Sequence, residues 1–100
     1  MATENQIEIC LEVQKLAMQI SAQGKYEFHA MYWGHTDEIQ CWGNNKGHAS
    51  DIKGWRSRDH VVYMGTPDDG VELTGPVIEL IKLRDDLSKF LKTDADGIPL

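Results

Sequence analysis

A chain of 100 residues with 41% hydrophobic content is the size of one domain, and it can fold around its own core without a metal or a disulfide. Its formal net charge of −6, from 16 acidic and 10 basic residues, argues against simple electrostatic capture of DNA or of an anionic membrane, and the carboxylates are too dispersed for a DNA-mimicking surface. No apolar run approaches the roughly 18 residues of a membrane span, and MATENQIEIC lacks the basic start and apolar stretch of a secretion signal, so the expectation is a cytoplasmic protein with no membrane partner.

Thr3-Glu4-Asn5-Gln6 has the form of a capping box and should open a helix over residues 4–23. Ile9, Cys10, Val13, Leu16, Ala17 and Ile20 recur at spacings of three and four, Glu8, Glu12, Gln14, Lys15 and Gln19 fill the other side, and Gly24 supplies the stop. Cys10 and Cys41 are the two cysteines; they show no CxxC spacing and read as reduced, buried thiols.

Two strands follow, over residues 26–33 and 38–43, around the turn Gly34-His35-Thr36-Asp37. A turn centred between His35 and Thr36 pairs residues whose numbers sum to 71, and this register sorts the side chains by face. One face carries Phe28, Ala30, Tyr32, Ile39, Cys41 and Gly43, an apolar set suited to packing under helices. The other sets Trp33 opposite Glu38, Met31 opposite Gln40 and His29 opposite Trp42.

Residues 43–59 have no sustained period. The stretch carries Lys46, Lys53, Arg56 and Arg58 and so is locally basic; a short strand near residues 52–55 would account for part of its length. His60-Val61-Val62-Tyr63-Met64 reads as a third strand, and Gly65 to Gly70 as a turn. Thr74 can cap a second helix over residues 75–92, with Pro76 in its first turn, Leu80, Leu83, Leu87 and Phe90 on its apolar stripe, and Lys89 and Lys92 near its negative pole. Residues 93–100 are expected to fray.

These elements predict a single α+β domain of order α-β-β-β-α, a three-stranded antiparallel meander with both helices packed on one face. The opposite face is then left to His29, Met31, Trp33 and Trp42. Trp55 is expected to join them from the following loop, either within an exposed patch or as a lid that makes a second core.

No catalytic motif is present. Ser21, Ser50, Ser57 and Ser88 sit in no nucleophile-elbow context, and Gly43-Asn44-Asn45-Lys46-Gly47 lacks the spacing of a phosphate loop. His29, His35, Cys41, His48 and His60 match no zinc-site spacing, and the register points His29 and Cys41 to opposite faces. Asp94-Ala95-Asp96-Gly97 starts like a calcium loop, but no glutamate follows to close it. The sequence therefore predicts no catalysis, metal or cofactor. A ring-rich sheet face is the usual mark of a surface that binds another protein or a second copy of its own chain. This suits a small accessory or inhibitor protein, of the kind bacteria and phages carry. Single-stranded nucleic acid is the alternative, with the rings as stacking platforms and Lys46, Lys53, Arg56 and Arg58 as phosphate contacts.

Overall fold

A computed structural model of the chain describes residues 3–47, 52, 53, 55, 60–64 and 75–100. Its elements are α1 (Glu4–Ala22), β1 (Tyr26–Trp33), β2 (Glu38–Asn45), β3 (Val61–Tyr63) and α2 (Gly75–Ser88), and the strands form one antiparallel sheet in the order β1-β2-β3.

Helix α1 starts where its cap dictates. The Thr3 hydroxyl accepts the Gln6 N–H at 3.2 Å, and Gln6 Oε1 accepts the Thr3 N–H at 2.9 Å, so two otherwise orphaned donors are satisfied reciprocally. The buried positions Ile9, Cys10, Val13, Ala17 and Ile20 then follow the three-four period. Gly24, at a φ of +88°, takes the left-handed conformation that ends the helix without Cβ strain.

The β1–β2 ladder has the predicted register from Tyr26 opposite Asn45 to Trp33 opposite Glu38. A four-residue turn closes it, with Asp37 at a φ of +52° and its carboxylate accepting the Tyr32 hydroxyl at 2.5 Å. Strand β2 runs on to Asn45, beyond the predicted end at residue 43. Gly43 is required within it, because a Cβ there would stand 2.6 Å from two carbons of the Phe28 ring that lies across it.

Both helices lie on one side of the sheet. Ile9, Cys10, Val13, Ala17 and Ile20 of α1, Val77, Leu80, Leu83 and Leu87 of α2, and Phe28, Ile39, Cys41 and Val62 of the strands form one continuous buried cluster. Arg84 of α2 reaches Glu12 of α1 at 2.8 Å across the helix pair. Cys10 Sγ lies 3.7 Å from the Met64 sulfur, inside the same core.

Three expectations change. Helix α2 ends at Ser88 rather than residue 92, because Phe90 and Leu91 donate their N–H groups to Leu87 and Ser88 in tight i→i+3 turns that swing Phe90 toward the sheet. Residues 93–100 do not fray: Thr93 bridges Pro99, and the Asp94 carboxylate accepts the N–H groups of Asp96 and Ile98, so the aspartates that resembled a calcium loop serve a hairpin turn. The Gln23 side chain both donates to and accepts from the Lys92 backbone, tying this tail to the end of α1. Finally, Trp55 N–H donates to the Ile52 carbonyl at 3.1 Å, so the described residues there make a turn and not a strand. The Gly65–Gly70 turn and the Thr74 cap lie outside the described residues.

Candidate functional site: an outward aromatic sheet face

The alternation of β1 and β2 sends His29, Met31, Trp33, Glu38, Gln40 and Trp42 to the side away from the helices. Strand β3 continues the same rows, with Tyr63 opposite Glu38 and Val61 opposite Gln40. One row therefore reads Trp33, Glu38, Tyr63 across the sheet, the next Met31, Gln40, Val61, and the third His29 and Trp42.

The rings are arranged for contact and remain open. His29 stacks on Trp42 with centroids 5.3 Å apart and planes at 23°, and Trp33 meets the edge of His35 at 6.2 Å. Met31 is 44% exposed, Trp33 38% and Tyr63 64%, while Trp42 is half-buried under its stacked histidine. Among the described residues neither helix lies on this face.

Glu38 is the buried charge in the middle of these rings, 8% exposed, with Oε1 accepting the Thr36 hydroxyl at 2.7 Å. Its negative charge and a hydrogen bond with it raise the pKa of the Tyr63 hydroxyl. At the far end of the face Glu27 is held below the ordinary carboxylate range, chiefly by the Gly47 N–H at 3.2 Å and then by Asn44, with His29 and Lys46 adding their charges.

Trp55 does not belong here. It is 3% exposed and lies on the helix side of the sheet, edge-on to Phe28 at 5.1 Å and to Phe90 at 5.8 Å, and stacked on His60 at 3.6 Å. The loop thus contributes its tryptophan to the core, where Tyr26, Phe28 and Phe90 complete an aromatic cluster, and Trp55 is neither part of the outward patch nor a lid over it.

Among the described residues, Lys46 and Lys53 do not assemble beside the rings. Lys46 is exposed in the turn after β2, near the Glu27 carboxylate, and Lys53 is exposed between the buried Ile52 and Trp55. Arg56 and Arg58 lie outside the described residues. Of the potential metal donors, His29 stacks on Trp42 on the outward face and Cys41 is fully buried on the opposite face; His48 lies outside the described residues. No three His, Cys, Asp or Glu side chains among the described residues stand close enough to hold a metal ion.

The register of the hairpin already set Glu38 on this face; Tyr63 is the member that sequence alone did not assign. The alternation of His60 to Met64 carries the signal, with Val62 and Met64 buried and Tyr63 pointing out, but the long connection from β2 hides the register that sets Tyr63 beside Glu38. No helix among the described residues is long and apolar enough to cross a membrane. No protein-family model matches the chain, and no curated protein or solved structure matches it.

Proposed function

We propose that this is a non-enzymatic protein-binding module, an accessory or inhibitor protein that docks its partner on the outward face of the sheet. The observation that carries the reading is the exposure of Met31, Trp33 and Tyr63, with the His29–Trp42 stack, on a sheet face whose other side already holds the core. Tryptophan and tyrosine are enriched among residues that dominate binding energy, because a large rigid ring gains contact area at little entropic cost. A ring of apolar side chains around the buried Glu38 carboxylate favours a partner that brings apolar side chains and a hydrogen-bond donor or cation to the centre of the patch.

Single-stranded nucleic acid receives less support. The face carries Glu27 at one end and Glu38 at its centre, and Lys53 stands beside the core tryptophan rather than beside the exposed rings. Comparative capture tests both readings. Immobilised wild-type protein and the variant Trp33→Ala/Trp42→Ala are exposed to the same native lysate, with and without nuclease treatment. The expected result is a protein retained by wild type and lost by the folded variant. Retention that disappears with nuclease treatment would favour nucleic acid, and identical retention by both forms would reject the face as the site.

A further inference from the structure

Strand β1 lies at one edge of the sheet, and among the described residues part of that edge is bare. Ser21 Oγ accepts the Phe28 N–H at 2.9 Å and donates to the Phe28 carbonyl at 3.2 Å, so the backbone groups of Phe28 point away from β2. Alternation along an antiparallel ladder gives Ala30 and Tyr32 the same outward-pointing N–H and C=O groups. Among the described residues no strand lies on that side. Exposed apolar side chains flank the bare stretch on both faces, Met31 and Trp33 on the outward face and Tyr32, 43% exposed, on the helix side. An occupant lying along the edge touches both faces at once.

Helix α1 supplies a second surface next to the first. Ser21 reaches the edge, so the flank of α1 that carries Ser21 overhangs it. At about 100° per residue, Gln14, Ile7, Met18 and Leu11 come next around that flank and fall within about 60° of one another. Glu12, which reaches Arg84 of α2, lies on the other flank. Ile7, Leu11 and Met18 are all exposed, Met18 by 74%, and no charged residue interrupts the stripe.

We propose that the chain forms a two-fold homodimer, in which β1 pairs antiparallel with β1 of a second copy about an axis at Met31, and α1 packs on α1 of that copy through Ile7, Leu11, Gln14 and Met18. A detached strand would fill the edge and leave the helix stripe bare. The occupant that fills both has a strand edge and an apolar helix stripe at the same offset, and this chain is itself such an object.

The register is specific. Ala30 of each copy faces Tyr32 of the other, each pair exchanging both N–H to C=O bonds, while the Ser21–Phe28 tie stays in place. On the helices the antiparallel pairing sets Ile7 against Met18 and Leu11 against Gln14, with its centre between Leu11 and Gln14. The two centres agree. From Ser21 beside Phe28, the three strand residues to Met31 advance about 10 Å. The same rise spans about seven helical residues, so Gln14 stands over Met31, within one turn of the centre of the stripe. The inference does not rest on the outward face having a partner, because the His29–Trp42 stack stays uncovered in this dimer.

Sedimentation equilibrium at about 100 μM, ample for a dimer of micromolar affinity, should give twice the chain mass of 11.3 kDa. Leu11→Lys/Met18→Lys, altered only at solvent-exposed sites, should return the mass to that of one chain, and Ala30→Pro, which removes an edge donor, should do the same. Met31→Cys should form a disulfide-linked dimer on a non-reducing gel, since facing residues of this kind stand about 4.5 Å apart. Ile78→Cys, exposed on α2, should not. A monomeric wild type would overturn the proposal and leave the edge to a strand from another protein. A dimer that survives both Leu11→Lys/Met18→Lys and Ala30→Pro would also overturn it. Should Ala30→Pro fail to fold, the Leu11/Met18 variant and the Met31→Cys cross-link decide.

Discussion

At the scale of single residues, the three tryptophans separate by environment. Trp55 is sealed among Phe28, Phe90 and His60, whereas Trp33 and Trp42 stand on the open side of the same sheet. The outward pair was legible in the sequence because a turn centred between His35 and Thr36 and a period of two fix the face of each strand residue from Phe28 to Trp33 and from Glu38 to Gly43. Trp55 was not, because no period runs through residues 43–59 and nothing local states which face that loop crosses. The cysteines were legible as core thiols, and their chemistry follows. Burial pushes the Cys41 thiol up to about 12; burial, with the nearby Asp37 charge adding to it, pushes the Cys10 thiol up to about 11. A thiol in the unfolded chain ionises near its ordinary value of 9.0, so the stability that these neutral thiols contribute is complete below pH 9 and is lost as pH rises toward about 11 to 12. Tyr32 and Tyr63 are shifted in the same direction. The urea midpoint should therefore fall progressively above pH 9, and Cys41→Ala should blunt the fall. At pH 8 neither thiol of the native protein should react with a disulfide reagent on the timescale of a free cysteine.

At the scale of elements, local rules located the starts better than the ends. The Thr3–Gln6 box was visible as a four-residue pattern and sits where predicted, since both hydrogen bonds lie within that pattern. Thr3→Ala should cost about 1 kcal/mol in a thermal or urea unfolding experiment, with no change in the outward face. The end of α2 depends instead on a distant partner. Phe90 turns out of the helix to meet Tyr26 at 5.4 Å and Phe28 at 5.3 Å, and the tail after it is ordered by Gln23. Neither contact is encoded near residues 88–92. The second apolar stripe on α1 was hidden for a different reason: Ile7 and Leu11 fit an alternating pattern as well as a helical one, and only the tie between Ser21 and Phe28 shows that the stripe overhangs the β1 edge.

At the scale of the molecule, three strands with two helices on one side leave a whole sheet face without a covering layer among the described residues. The dimer proposed from the β1 edge would join two such faces into one six-stranded surface and set Met31 against Met31 at its centre. Two features drawn from one hairpin would then act together, the edge for self-association and the face for a partner. In either state the inward face stabilises the fold and the outward face is free to bind. That division is tested most directly by urea unfolding of Trp33→Ala/Trp42→Ala beside Trp55→Ala. The double variant should lose less than about 2 kcal/mol and keep a single cooperative transition, while the single core substitution should cost about 3–5 kcal/mol. A double variant as unstable as Trp55→Ala would contradict it, because the outward rings would then belong to a second core.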